Sequence, residues 1–392
     1  MVATFGQTFG RDPQRQFGQK VSDRRLHTVA FGQTGTGKTT ILRQLARQDC
    51  LADRGFGLLD PHGDLAQFIA AECKPDIYWD VANPDCPYGY NPLTFVAPAY
   101  RPLVASGLID AFKKQWADAW GNRMEHLLRF ALLTLLERPN SSLSDIMPLF
   151  LDKGFRAEVI ANVTDPQLLH FWEVEYTAMN FKNAADGVAP IANKLGAFLA
   201  HPLVRRAVCE PEKPLRLRSI MDEGQTLVVN LAKGRLGGDI ANVLGGLIVS
   251  SLAQAAYSRA NQPEAERKDW ILYLDEFQSF TTAAFADMLS ELRKYRVGLV
   301  CTTQFSSGLD QNVLEAILGN VGTLIAFRVG ATDAAILARQ FGNDVPSASD
   351  LVGLPNFEMY VKLMVDGQQT KPFSARTLSP QKTLVANSRL AA

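Results

Sequence analysis

Lys38 and Thr39 sit in the stretch Gly32-Gln33-Thr34-Gly35-Thr36-Gly37-Lys38-Thr39-Thr40. Its spacing fits G-x-x-x-x-G-K-[ST], the phosphate-binding loop. Such a loop needs glycines so that the backbone can curl and point N–H groups at a phosphate. The helix N-terminus that follows adds a dipole favourable to anions. In that chemistry Lys38 reaches the β- and γ-phosphates of ATP, and the Thr39 hydroxyl ligates Mg²⁺. A second site candidate is Asp275-Glu276, which closes the apolar run Trp270-Ile271-Leu272-Tyr273-Leu274. An apolar strand ending in two carboxylates resembles the Walker B motif. There Asp275 would hold the Mg²⁺ shell and Glu276 would polarise the attacking water. Two further polar residues stand at strand tips. Gln304 ends Val297–Thr303 and is placed to sense a γ-phosphate. Arg328 interrupts the apolar run Gly322–Val329, so it needs a partner: a carboxylate of the same subunit, or the nucleotide of a neighbouring one as an arginine finger.

These residues require elements to hold them. Thr28-Val29-Ala30-Phe31 reads as a short buried strand before the loop, and Ile41 to Ala46 as the helix after it. Gly55 to Asp60 reads as a second strand, followed by the turn-rich Asp60-Pro61-His62-Gly63-Asp64. Leu65–Cys73 reads as a helix and Ile77–Asp80 as a third strand. Strands alternating with helices imply an α/β fold with a parallel sheet and helices on both faces. Ligands then bind at the strand ends on the phosphate-loop side. Asp60, His62 and Asp64 fall near that crevice, or only cap a turn and a helix start. From about Pro102 to Val208 the pattern changes to helical spacing: Met124, Leu127, Leu128, Ala131, Leu132 and Leu135 recur on one face. Ser142–Asp145 reads as a capping box opening another helix. Trp116, Trp120, Phe171, Trp172 and Phe181 fit core packing better than base stacking. The α/β pattern resumes with strand Thr226–Leu231, a helix over Ala241–Tyr257, and strands at Trp270, Val297, Gly322–Val329 and Met359–Asp366. The expected division is a nucleotide-binding core over 1–100, an all-α insertion over 101–208, the rest of the core over 209–380 and a loose tail over 381–392.

Composition narrows the partners. The chain has 392 residues with Lys+Arg 40 and Asp+Glu 40, so no global field pulls it onto nucleic acid or an anionic membrane. Any DNA contact must use a local basic patch. Five scattered cysteines without a C-x-x-C pair suggest a reducing compartment and no zinc site. The N-terminal stretch lacks a signal-peptide core, and the apolar helix around Val243–Tyr257 looks too short to span a bilayer. The expectation is a cytoplasmic protein without an integral membrane segment, peripheral at the inner membrane through a partner if at all.

The ordered set of motifs resembles the HerA/FtsK superfamily of P-loop motors. It comprises Gly32–Thr40, Gly57–Asp64, Asn91-Pro92-Leu93, Leu274–Gln278, Thr303-Gln304, Leu318–Thr323 and Phe327–Gly330. Within it the set is most similar to TraD/TraG-like coupling proteins of conjugative type IV secretion. The resemblance implies a RecA-like core with an inserted all-α domain. It implies a homo-hexameric ATPase that uses ATP and Mg²⁺ at subunit interfaces to move DNA, with a secretion or relaxosome partner. It places Gln304 at a sensor position and makes Arg328 look like the finger acting in trans. Coupling proteins usually carry N-terminal transmembrane helices, and this chain starts almost directly at the core. Related motors for genome packaging or DNA-end processing are therefore alternatives, as is an NTPase without a nucleic-acid partner.

Overall fold

The computed structural model describes residues 2–10, 14–94, 96–179, 181–282, 284–342 and 345–378, without the side chains of 181–186 and 284. The tail 381–392 and the Phe181 side chain lie outside that description. The chain forms two compact units. The first comprises residues 1–78, 220–230 and 259–392, the second 79–219 and 231–258.

The first unit is built on a large mixed sheet. Its strand order is Gln16–Lys20, Val2–Thr8, Phe373–Thr377, Glu358–Lys362, Thr323–Ala326, Thr28–Phe31, Val297–Thr303, Trp270–Leu274, Phe56–Asp60, Thr226–Asn230 and Ile77–Asp80. The neighbours from Thr323–Ala326 to Thr226–Asn230 pair in parallel. These strands read as apolar runs because both their faces are covered: Val29, Phe31, Leu58, Val228 and Leu272 are all buried. On one face, Ile41, Leu42, Leu45 and Ala46 of helix Lys38–Leu51 recur at helical spacing and bury against Ala30, Leu58, Tyr273, Val300 and Ile325. The register Cys301↔Val29 and Cys301↔Leu274 places Val297–Thr303 between the phosphate-loop strand and the strand ending in Asp275-Glu276. Both motifs thereby open on the same edge of the sheet.

Three antiparallel strands, Gln16–Lys20, Val2–Thr8 and Phe373–Thr377, were not read from the sequence. Val2–Thr8 and Gln16–Lys20 pair with each other, and Val2–Thr8 also pairs with Phe373–Thr377. Two expected strands are shorter than read. Gly322–Val329 is a strand only over Thr323–Ala326, because beyond it the backbone turns to the phosphate loop, where the Arg328 carbonyl accepts the Gln33 N–H at 2.8 Å. Met359–Asp366 becomes strand Glu358–Lys362 followed by a small hairpin, Met364–Val365 with Gln368–Gln369.

A buried ion pair ties this sheet to its helices. Arg24 and Asp49 are fully buried and meet at 2.6 Å, and the Tyr273 hydroxyl joins them. Burial alone would raise the Asp49 pKa. The Arg24 charge and hydrogen bonds, with help from Tyr273 and Arg54, outweigh it and hold the carboxyl below its ordinary value. Asp49→Ala is expected to cost about 3–5 kcal/mol of unfolding free energy, because it strands the Arg24 charge in the core. Urea titration of the variant measures it. A loss under about 1 kcal/mol would show that the pair is replaceable.

The second unit is helical. Helix Asn122–Glu137 buries the face read from the sequence, and Ser142 with Asp145 forms the expected capping box. Trp116, Phe171 and Trp172 are buried, with Trp172 Nε1 donating to Thr134 Oγ1 at 2.8 Å, so these rings serve packing. Trp120 donates to Glu125 at 2.9 Å. One expectation is corrected. The apolar helix runs over Gly238–Ser258, and Gly238–Asn261 is long and apolar enough to cross a membrane, with 67% of its apolar window buried. Its length escaped the sequence reading because Gly238, Asp239, Ser250 and Ser251 interrupt the apolar pattern. Helix Arg101–Gln115 packs against it, with Gly107 giving room for Ser250 and Gln254.

Candidate functional site

The site lies wholly within the first unit. Strand Thr28–Phe31 delivers the chain into the loop, and helix Lys38–Leu51 begins at Lys38 itself. Gly35 and Gly37 carry φ of +77° and +121°, conformations open to glycine that let the loop curl. Lys38 is buried and its Nζ donates to the carbonyls of Gly32 at 2.6 Å and Gln33 at 3.0 Å. The ammonium thus braces the loop from inside. Burial lowers its pKa, and Asp275 and Glu276 partly restore it. Thr34 and Thr36 lie in the loop and Thr40 in the first turn of the helix, with the Thr36 hydroxyl donating to the Gln33 carbonyl at 2.7 Å.

The carboxylates come to this loop from across the sheet. Thr39 Oγ1 donates to Asp275 Oδ2 at 3.1 Å, and Thr302 Oγ1 donates to Asp275 Oδ1. Burial raises the Asp275 pKa; the Thr302 and Thr39 hydroxyls oppose the rise, and the Asp60 and Glu276 carboxylates reinforce it. A crowded, desolvated carboxylate beside a threonine hydroxyl is a hard-oxygen site that a cation would relieve. Among the described residues no group of three or more His, Cys, Asp or Glu side chains could hold a metal. One carboxylate and one hydroxyl fit Mg²⁺, which takes its remaining ligands from phosphates and water. Thr39 and Asp275 are the residues that would hold it.

Glu276 stands one residue on, in the left-handed region at φ +47°. That conformation is uncommon for a residue with a side chain. It is anchored by the Glu276 N–H donating to Asp275 Oδ1 at 3.1 Å and Thr302 Oγ1 at 3.3 Å. The Glu276 carboxylate meets two side chains. Gln304 Nε2 donates to its Oε1, and His62 Nε2 lies 2.9 Å from its Oε2. Asp60 does cap the turn, accepting N–H groups from His62 and Ala66 at 2.9 Å. The same turn carries His62 to Glu276, so the capping and crevice readings of this loop both apply.

Arg328 has no carboxylate partner among the described residues. It donates to Gln33 Oε1 at 3.2 Å, to the Leu354 carbonyl at 3.2 Å and to Asn356 Oδ1 at 2.8 Å. Of the two partners expected for it, the carboxylate of its own subunit is replaced by two amides and a carbonyl, and the guanidinium rests on the phosphate loop of its own chain. His62 as a partner of Glu276, and the segment Leu354–Phe357 as a wall of the loop, were missed in the sequence.

A phosphate loop facing a carboxylate pair across one intervening strand defines the site of a P-loop nucleotide-binding protein. Solved structures share the fold. Bacterial conjugative coupling protein TrwBΔN70, unbound, matches with TM-score 0.64 and 18% identity over 91% of this chain and 86% of that one. Plasmid coupling protein TrwB in complex with ADP and Mg²⁺ matches with TM-score 0.64 and 17% identity over 96% and 95% of the two chains. VirB4 of Thermoanaerobacter pseudethanolicus matches with TM-score 0.63 and 13% identity over 97% and 98%. This chain has their RecA-like fold. No family model and no curated protein sequence matches it.

Because Gln304 and His62 both grip Glu276, each is expected to act on turnover. His62→Ala and Gln304→Ala should each lower the kcat for ATP about tenfold or more and leave KM within about twofold. Equal falls in affinity and turnover would instead mark a general disturbance of the crevice.

Proposed function

We propose that this protein is an ATP-driven motor of the type IV secretion class that moves DNA. The observation that carries the reading is the convergence of Lys38, Thr39, Asp275, Glu276 and Gln304 on one crevice. ATP binds with its phosphates on the Gly32–Thr40 loop; Thr39 and Asp275 would hold Mg²⁺, which would supply positive charge beside those phosphates. Lys38 exchanges its loop carbonyls for phosphate oxygens. Glu276 orients a water in line with the γ-phosphate and takes up its proton. Gln304, bonded to Glu276, responds to the loss of that phosphate. Solved structures of TrwB with ATP and GTP analogues support nucleotide binding to this fold.

Arg328 contributes positive charge at the phosphate loop. A finger acting on a neighbouring subunit would have to break its contacts with Gln33, Leu354 and Asn356. We propose that trans role for Arg328, with those contacts released when the subunits assemble. We further propose assembly into a homo-hexameric ring with the helical segment 101–208 as an inserted domain. DNA would be held mainly through phosphates, so binding would be independent of sequence and sensitive to salt.

The test is ATP turnover with and without single- and double-stranded DNA at low and moderate salt. Stimulation by DNA that fades with salt and is absent in Lys38→Ala supports the motor and identifies the strand form. Turnover indifferent to any nucleic acid would favour an NTPase without a nucleic-acid partner.

A further inference from the structure

Phe357 is an anomaly. It occupies the third position of the turn Pro355–Glu358, closed by the Glu358 N–H on the Pro355 carbonyl at 3.3 Å, and has φ +68°. A turn with positive φ at that position normally takes glycine or asparagine. Instead the chain holds a bulky ring there, and the ring is 49% exposed. A left-handed aromatic that leaves half of itself exposed contributes less to folding than a buried ring, and outliers of this kind gather at ligand sites.

The surroundings say which ligand. The Phe357 N–H donates to the Thr36 carbonyl at 2.8 Å, and its own carbonyl accepts the Thr377 N–H at 2.9 Å. A methyl group at Gly37 would lie 3.2 Å from Phe357 Cδ1, so the ring lies against the phosphate loop. Asn356, one residue earlier, is fixed by Arg328. The same Thr377 lines a groove of about 190 Å³, walled also by Gln7, Phe9, Gln14 and Arg376. Arg376 lies over the Phe9 ring at 3.7 Å and pairs with Glu358 at 2.6 Å. Gln7 Nε2 donates to Gln14 Oε1 at 2.7 Å, which sets two amides at the rim.

A nucleotide bound by its phosphates must send its base to one side of the loop. The side of Thr39 and Asp275 is ionic. The side of Phe357 offers a flat apolar face, then a groove edged by amides and a guanidinium, which suits a planar heteroaromatic ring with polar edges. We propose that Phe357 and the groove beyond it take the nucleobase, with the Phe357 ring as its packing surface. This rests on the nucleotide-binding reading above and adds the residues that recognise the base. Amides carry both donors and acceptors, so Gln7 and Gln14 suit adenine and guanine edges alike.

The test compares binding of Mg-ATP and Mg-tripolyphosphate, which has the phosphates without the base, to the full chain by calorimetry. Phe357→Gly removes the ring and suits the left-handed backbone, so the fold is kept; Phe357→Trp restores an aromatic face. Phe357→Gly should weaken ATP about tenfold or more, as loss of a base–aromatic stack does, and leave tripolyphosphate within about twofold. Phe357→Trp should hold ATP near its wild-type affinity. Unchanged ATP binding in Phe357→Gly, or equal weakening of both ligands, would overturn the assignment. So would wild-type protein that binds tripolyphosphate as tightly as ATP, with the phosphate site intact. Wild-type protein that binds neither ligand overturns the nucleotide reading itself.

Discussion

Lys38→Ala is expected to lower kcat/KM for ATP by about 10³-fold, at the upper end of what loss of one preorganised charge costs. The ammonium is buried and lies under the loop. It also bonds the Gly32 and Gln33 carbonyls, so alanine removes both the charge that meets the phosphates and a brace of the loop. Lys38→Arg separates these effects. Its charge survives, but the larger, planar head does not fit the space the two carbonyls define, and activity should stay low. Steady-state phosphate release measures both variants. An alanine variant within tenfold of wild type would remove Lys38 from the reaction.

Glu276→Gln is expected to lower turnover about 10²–10⁴-fold with ATP affinity changed no more than a few-fold. The amide keeps the shape and can still contact Gln304 and His62, but it cannot take a proton from water. Its left-handed backbone is set by Asp275 and Thr302, which the substitution leaves alone. Single-turnover phosphate release gives the chemical step, and a binding titration with a non-hydrolysable analogue gives the affinity. Hydrolysis at the wild-type rate would show that another group activates the water.

The sequence shows the parts of this site whose signal is local. The phosphate loop is nine consecutive residues flanked by a buried strand and an amphipathic helix. The pair Asp275-Glu276 closes a strand whose five residues are all buried. Gln304 was placed by the same reasoning, one residue past its strand. What stayed hidden depends on pairings distant along the chain. The contact of His62 with Glu276 joins residues 214 positions apart, and nothing in either neighbourhood announces it. Strand Val2–Thr8 contains Gly6, Gln7 and two threonines and has only three buried residues; it becomes a strand because Phe373–Thr377 offers it an edge. Arg328 was read as needing a carboxylate of its own subunit or the nucleotide of a neighbouring one because its run is apolar. The strand ends before it, leaving the guanidinium free to reach Gln33, Leu354 and Asn356. Phe357 gives no warning, since a left-handed phenylalanine cannot be foreseen from residue type.

In the proposed mechanism one crevice, formed by Lys38, Thr39, Asp275 and Glu276, binds and hydrolyses ATP. The most direct measurement is a crystal structure of Glu276→Gln with Mg²⁺ and ATP. The account predicts the triphosphate wrapped by residues 32–40, Mg²⁺ on Thr39 Oγ1 with Asp275 in its shell, and a water between residue 276 and the γ-phosphorus. Nucleotide bound elsewhere, or phosphates on the loop with the metal away from Thr39 and Asp275, would contradict it.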